Sequence, residues 1–176
     1  MNRFKKTNFQ IHMLKKIGLV LVGIFIIIQF IRPAKNLSGD ETNDIHKRYS
    51  VPLKVDALLQ RSCVDCHTNK TTYPWYAEVE PVGWWLNSHI KDGKRHLNFS
   101  NFTAMRVAVQ KKRMEDCIEQ LNEDEMPLSS YTLIHRNAIL ANADKETLKS
   151  WCQSIIDTLK ATYPADSLVL KRGGGR

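Results

Sequence analysis

Two cysteines and a histidine stand close together in the pentapeptide Cys63-Val64-Asp65-Cys66-His67. The C-x-x-C-H spacing is the attachment signature of a c-type haem. In a helical turn, residues three apart face the same way, so both thiols can add to the two vinyl groups of one porphyrin. The adjacent imidazole then lies under the iron as the proximal ligand. The pentapeptide predicts one covalent haem c, attached through Cys63 and Cys66 and ligated by His67.

A sixth iron ligand is expected at Met126. This methionine precedes a proline in the acidic stretch Glu123-Asp124-Glu125-Met126-Pro127, where a buried apolar side chain serving only the core would be unusual. A thioether opposite an imidazole raises the reduction potential, which suits electron transfer. The rival ligands are three histidines, and the sequence leaves them open: His89, His96 and His135.

The cysteines also admit other readings. A zinc site would recruit Cys117, Cys152 or a histidine, but zinc does not require a histidine directly after a cysteine. A thioredoxin-like dithiol would need a βαβ context, which the pattern lacks. Cys117 and Cys152 themselves are predicted on the inner faces of two helices. Either a disulfide or two buried thiols fits them.

The surrounding pattern is helical, and no period-2 run is long enough for a central strand. An apolar stripe in a helix starting near Ser50-Val51-Pro52 leads directly into Cys63. A loop is expected over 68–81, and a short helix over Val82–Asp92 with Gly93 as its stop. The remaining helical predictions are Thr103–Asn122, a partly helical Tyr131–Leu140, and a last helix that begins near Asn142 and ends before Pro164.

Aromatic and basic side chains are candidates for enclosing the macrocycle. A large planar group needs apolar walls, and the candidates are Trp75, Trp84, Trp85, Phe99, Phe102 and Trp151. A carbonyl near Pro74 or Pro81 is expected to accept the Nδ1 proton of His67 and fix its ring. Lys91, Lys94 and Arg95 form a basic cluster that suits either haem propionates or a solvated face.

The net charge of +8 belongs to the ends of the chain. Seven bases and no acid lie in residues 1–35, and three more bases without an acid lie in the last ten residues. The other 16 bases in residues 36–166 are outnumbered by 18 acids. This central body carries no cationic surplus, so a nucleic-acid partner is not expected.

A nearly unbroken apolar run from Ile17 to Ile31 predicts a membrane anchor over 17–32. No small-residue cleavage site follows the run, which favours an uncleaved single-pass anchor over a signal peptide. Five bases precede it, so the positive-inside rule leaves 1–16 in the cytoplasm. The predicted order then continues with a linker over 33–50, a haem-binding domain over 51–163 and a flexible tail over 164–176. The location would be a bacterial inner membrane, with the haem domain in the periplasm.

A set of motifs resembles the bacterial haem-binding domain family of cytochrome-c-like proteins over roughly 45–160. The matching residues are Cys63-Val-Asp-Cys-His67, Thr71, Tyr73-Pro74-Trp75-Tyr76, Pro81, Trp85, His89-Ile90, Gly93, Leu97-Asn98-Phe99-Ser100, Glu125-Met126-Pro127, Tyr131, His135 and Trp151. The resemblance implies an all-α, cytochrome-c-like domain around one covalent haem, with Cys63, Cys66 and His67 at the attachment and proximal positions. Met126 falls where the distal methionine of such domains belongs.

These observations predict a membrane-anchored monohaem cytochrome that carries single electrons rather than a catalyst. No nucleophile–base pair or carboxylate dyad indicates hydrolytic chemistry. The alternative from another class is a haem enzyme or sensor whose sixth ligand is displaced by peroxide or a gas. A carrier of this kind exchanges its electrons with a redox partner protein.

Overall fold

The computed structural model describes residues 2–170, with side chains from Gln10 onward. These residues form seven α-helices and contain no β-strand beyond one isolated antiparallel bridge between Leu37 and Lys70. The all-α prediction is confirmed. The helices are α1 Asn2–Ile28, α2 Leu53–Ser62, α3 Val64–His67, α4 Val82–His96, α5 Val107–Asn122, α6 Ser129–Ile134 and α7 Asn142–Thr162. Short 3₁₀ helices cover Ile45–Lys47, Trp75–Glu78, Phe99–Ala104, Arg136–Ala138 and Ala165–Leu168.

The chain divides into two compact units. The first combines the described residues up to Lys35 with Tyr73–Ser88, and the second combines Asn36–Thr72 with the described residues from His89 onward. The haem motif belongs to the second unit, and the apolar helix α1 belongs to the first.

The core of the second unit forms where α7 packs on α5 and on α2. The predicted inner stripes are confirmed for α2 and α7, whose apolar residues at helical spacing are buried. They are Val55, Leu58, Leu59, Leu148, Trp151, Cys152, Ile155 and Leu159. On α5, Met114 and Leu121 are buried, while Val107 and Ile118 pack against the core from its edge.

Two predicted boundaries of the second unit differ from the structure. In the supposed linker 33–50, Ile45 and Tyr49 are buried members of the core, because a short 3₁₀ helix capped by the Asp44 side chain turns them inward. In the supposed tail 164–176, Leu168 is buried at the end of a 3₁₀ helix that contacts α5 and α7. The packed chain therefore starts earlier and ends later than 51–163. Residues 171–176 lie outside the described residues.

Helix α5 begins at Val107 rather than at Thr103. The Asn98 side chain accepts a hydrogen bond from the Ser100 backbone N–H at 3.1 Å, which caps the 3₁₀ helix Phe99–Ala104. An asparagine in this role stabilises a turn that competes with an α-helical continuation. The backbone is then non-helical at Met105 and Arg106, with ψ angles of 148° and 144°, before α5 starts.

Helix α1 contains the apolar segment predicted from the sequence, with different ends. Among the described residues, Gln10–Ile28 is the one helical segment long and apolar enough to cross a membrane, with a mean hydropathy of 2.2. None of this segment is buried within the protein. Because a helix that is apolar on every side needs an apolar surrounding, either a bilayer or removal as a signal sequence accounts for it.

Candidate functional site

The pentapeptide Cys63–His67 forms one tight helical turn. Helix α2 ends at Ser62, and the backbone N–H groups of Cys66 and His67 both donate to the carbonyl oxygen of Cys63, at 3.2 and 3.0 Å. Cys63, Cys66 and His67 all line the same cavity. The prediction that α2 delivers the motif at its end, with the cysteines on one side of a turn, is therefore confirmed.

The ring of His67 is fixed by a backbone carbonyl from a distant part of the chain. Its Nδ1 atom lies 2.8 Å from the carbonyl oxygen of Leu97, just after the end of α4. A carbonyl oxygen can only accept a hydrogen bond, so the Nδ1 atom carries the ring proton. The Nε2 atom therefore keeps its lone pair for a metal. Burial lowers the pKa of His67, which favours the neutral ring. The expectation that a carbonyl near Pro74 or Pro81 would be this acceptor is wrong.

Helix α4 passes directly over the motif at Gly93. A Cβ atom at Gly93 would lie 2.9 Å from the carbonyl oxygen of Cys66 and 3.3 Å from its Cβ atom. Glycine is required there because the two backbones approach so closely. The sequence interpretation of Gly93 as a helix stop is wrong, since α4 continues through it to His96.

The cavity has a volume of about 560 Å³ and is mainly apolar. Its size falls within the range of roughly 300–1,000 Å³ usual for cofactor pockets. Of the predicted iron ligands, Met126, His89 and His96 line it together with His67, whereas His135 does not. His135 instead stacks on the ring of Tyr131 at a centroid distance of 4.3 Å.

Two of the six predicted aromatic walls line this cavity, Phe99 and Trp151. Phe99 meets the His67 ring edge-on at a centroid distance of 6.3 Å and lies equally far from Trp151. Phe102 is fully buried elsewhere in the core. The other three tryptophans fall in the first unit, where Trp75 and Trp85 are exposed. The prediction is wrong for these four because aromatic character alone does not give a side chain's direction.

Asp65, between the two cysteines, links the motif to its surroundings. Its carboxylate accepts hydrogen bonds from the Tyr131 hydroxyl at 2.9 Å and from the backbone N–H of Thr72 at 3.1 Å. The Thr71 hydroxyl donates to the Asp65 carbonyl at 2.6 Å. Sequence reasoning missed this role, although a carboxylate inside the motif and a matching Tyr131 and Thr71 were visible.

Cys117 and Cys152 lie side by side as free thiols that share a hydrogen bond. The same contact lowers the pKa of Cys117 and raises that of Cys152. Burial raises the pKa of Cys63, and raises that of Cys66 to about 11. Thiols of disulfide-exchange enzymes have lowered pKa values, so Cys63 and Cys66 do not resemble such thiols. Within residues 2–170, no three histidine, cysteine, aspartate or glutamate side chains are arranged to hold a metal ion by themselves.

Comparison with protein families gives one match. The model of the haem-binding domain family matches residues 23–154, well over half of the chain. The chain belongs to the haem-binding domain family. No curated protein matches the chain, and no solved structure matches it. This haem-binding domain covers the motif, the cavity and Met126, so the predicted family is confirmed and haem is the ligand of the domain.

The cavity residues of the haem-binding domain fit that ligand. An apolar slot suits a porphyrin plane, His67 offers an imidazole nitrogen, and two thiols lie beside it. Porphyrin propionates also need cationic partners, and Arg113 lines the cavity with a buried Nε atom that has no hydrogen-bond partner among the described residues. Its Nη1 atom lies 3.3 Å from Asp116. A buried N–H without an acceptor is costly, so this atom suits a bound carboxylate.

The basic cluster expected to serve the propionates lies elsewhere. None of Lys91, Lys94 and Arg95 lines the cavity. Lys94 donates to the Asn36 side chain at 2.6 Å, and Arg95 pairs with Asp92 in the same helix. The solvated-face alternative therefore describes these three residues better. Arg113 gave no comparable signal in the sequence, because it is one of three consecutive bases in α5.

Proposed function

We propose that this chain is a membrane-anchored c-type cytochrome that carries single electrons on one covalent haem. The observation that carries the proposal is the convergence of Cys63, Cys66 and His67 on one apolar cavity from a single helical turn. Haem binding alone requires only the histidine. Two thiols at the attachment spacing on the same wall are explained by covalent attachment.

Attachment requires that each thiol add across one vinyl group. The S–H bond and the vinyl π bond break, a carbon–sulfur bond forms, and the proton goes to the other vinyl carbon. No electron acceptor is needed. The turn Cys63–His67 supplies both sulfurs, and the contact between Gly93 and Cys66 holds α4 against that turn. Asp65 holds the turn in place through Tyr131 and Thr72.

Met126 is proposed as the ligand opposite His67. The carbonyl that holds His67 comes from Leu97, so the C-terminal end of α4 lies on the same side of the cavity as the His67 ring. His96 directly precedes Leu97 and is close enough to His67 to influence its charge. His89 lies two turns earlier on the same helix. Met126 lines the cavity from a different segment, between α5 and α6.

Arg113 is proposed to bind a haem propionate through its unsatisfied Nε atom. A guanidinium presents several donors in a planar fork that matches a carboxylate. Its present partner, Asp116, also pairs with Lys112, so Asp116 retains a cation when Arg113 engages a propionate. This positive charge close to the porphyrin then stabilises the reduced iron.

Electron transfer is the role that this ligand set supports. His67 and Met126 would together hold the haem iron, and a histidine–methionine ligand set raises the reduction potential, whereas catalysis needs an open or displaceable position. The protein contributes burial, axial ligation and charge, and the haem supplies the redox chemistry.

Helix α1 is proposed as the anchor of this cytochrome. Its apolar segment Gln10–Ile28 matches the thickness of a bilayer core; Lys15 and Lys16 lie near the start of this segment, and three more bases precede it. Short segments rich in Lys and Arg stay on the cytoplasmic side, so the haem domain would face the periplasm of a bacterial inner membrane.

The test is haem retention after denaturation. The full chain, produced together with haem-attachment machinery, should keep its haem on a denaturing gel stained for haem peroxidase activity. Cys63→Ala and Cys66→Ala should each weaken that retention, and the double variant should abolish it. Cys117→Ala is the matched control, because Cys117 lines the same cavity outside the motif. Unchanged retention in the double variant would overturn covalent attachment, while a reduced-minus-oxidised spectrum would still report bound haem.

A further inference from the structure

Residues 73–88 are fastened to the chain immediately after α1. The Gln29 side chain donates to the Glu80 carbonyl oxygen at 3.0 Å and accepts from the Glu80 backbone N–H at 3.0 Å. The Trp84 indole N–H donates to the Ile31 carbonyl oxygen at 2.6 Å. Arg32 and Lys35 both pair with the Glu78 carboxylate. These contacts all lie within the first unit and hold it at the end of the apolar helix.

The fastened segment is itself tightly built. The Glu80 side chain is 1% exposed, and its carboxylate accepts from the Trp84 backbone N–H at 2.8 Å. Gly83 packs so closely against the backbone at Ala77 that a Cβ atom at Gly83 would lie 2.6 Å from the Ala77 carbonyl oxygen. A segment with this internal packing keeps its side chains in defined directions.

Four large apolar side chains of this segment nevertheless face outward: Trp75, Val79, Val82 and Trp85, here called the apolar collar. Trp75 is 80% exposed and Trp85 is 45% exposed. Val82 and Trp85 are three residues apart in α4 and therefore share a face. A large apolar side chain left in water loses the free energy of its burial, so a concentration of such residues indicates a surface that something covers.

We propose that the apolar collar inserts into the headgroup interface of the bilayer that α1 spans. The inference rests on the proposed anchoring of α1 and adds a second membrane contact to it. Gln29 is the first polar residue after the apolar segment Gln10–Ile28, so residues 29–32 lie at the level where the hydrocarbon core ends. The collar segment is hydrogen-bonded to those same residues and therefore lies at the same level.

The chemistry of the segment matches that depth. Tryptophan concentrates at membrane interfaces, where its ring is apolar and its N–H is satisfied by a polar group. Arg32 and Lys35 lie beside the collar and share the single carboxylate of Glu78, so this cluster keeps one net positive charge, which suits a lipid phosphate. Phe30 and Ile31, which are 84% and 59% exposed, continue the apolar surface from the anchor toward the collar. A bilayer covers this surface without a break between helix and collar, so a lipid surface is favoured over a protein partner.

Site-specific photocrosslinking of the full chain in bacterial membranes tests this surface. Trp75→p-benzoylphenylalanine and Trp85→p-benzoylphenylalanine should form phospholipid adducts, detected by mass spectrometry after irradiation. Leu133→p-benzoylphenylalanine is the control for a similarly exposed apolar side chain of the second unit, because Leu133 is 64% exposed on α6. Lipid adducts at both collar positions should exceed those at Leu133 severalfold.

Leu21→p-benzoylphenylalanine separates the collar from the anchor, because Leu21 is exposed in the middle of α1. Lipid adducts at Leu21 but not at the two collar positions would overturn the collar while leaving the anchor intact. Protein adducts at the collar would overturn it in favour of a protein partner. Absence of lipid adducts at Leu21 as well would overturn both the collar and the anchoring on which it rests. The haem spectrum of each variant reports that it is folded.

Discussion

The Nδ1 atom of His67 and the carbonyl oxygen of Leu97 lie 2.8 Å apart, although 30 residues separate them in the chain. This contact turns the end of α4 into the support of the proximal ligand. It fixes the tautomer, orients Nε2 and raises the basicity of the imidazole toward iron. Helix α4 also touches the neighbouring Cys66 through Gly93. One helix therefore positions the histidine and packs against the attachment turn.

The Nδ1 proton of His67 should exchange slowly with solvent in the reduced, haem-loaded protein. This proton is held by a backbone carbonyl and the side chain is already half-buried before haem covers it, so exchange requires local opening. Proton NMR after transfer into D₂O measures this rate. His46 is the comparison, because its Nδ1 atom also has a close partner, Asp44 at 2.6 Å, but its side chain is 49% exposed. Equal exchange rates at the two histidines would contradict the support by Leu97.

Gly93→Ala should lower the free energy of unfolding by about 1–3 kcal/mol, the usual cost of inserting a methyl group into a filled contact. The new Cβ atom would meet the Cys66 carbonyl oxygen at 2.9 Å, and a backbone atom cannot swing aside. The effect opposes the gain in helix propensity of about 1 kcal/mol that alanine brings. Urea unfolding followed by circular dichroism gives the difference.

Lys91→Ala is the matched control for Gly93→Ala, because Lys91 is an exposed position of the same helix. Its unfolding free energy should stay within roughly 0.5 kcal/mol of the parent. If Gly93→Ala is as stable as Lys91→Ala, the close approach of α4 to Cys66 does not constrain the fold.

The periodicity of apolar residues predicted the helices well wherever the local sequence by itself determines the structure. The stripes of α2 and α7 are long and periodic, and the attachment spacing is itself a local geometry. The prediction for Gly93 was wrong because a glycine, taken from the sequence alone, indicates a helix end. Only the position of Cys66 beside it in the structure shows that Gly93 serves a close contact. The Leu97 acceptor could not be predicted, since the approach of α4 to His67 depends on packing between distant segments. Arg113 was hidden for the same reason.

Arg113→Gln should lower the midpoint reduction potential by an amount on the order of tens of millivolts, because a positive charge near the iron is lost. It should also make the potential depend on pH. The proposed pairing with Arg113 would favour the ionised propionate; without Arg113 the propionate would take up a proton as the pH falls, and the potential would then rise. Redox titration at several pH values measures both effects. Lys112→Gln is the control, because Lys112 also pairs with Asp116 but does not line the cavity. Removing its charge should change the reduction potential little.

Met126→Ala should abolish the weak far-red charge-transfer band of the oxidised protein, because that band arises from a methionine sulfur bound to ferric haem. The reduction potential should fall, since a thioether favours the reduced iron. Met105→Ala is the matched control: Met105 packs at the edge of the core and does not line the cavity, so the band should remain. The parent should bind carbon monoxide slowly, and Met126→Ala should bind it fast, because the alanine leaves the sixth position open. Fast binding by the parent would exclude a firmly bound Met126 and favour a displaceable ligand such as His89. A band that survives Met126→Ala would exclude Met126 as the sulfur ligand.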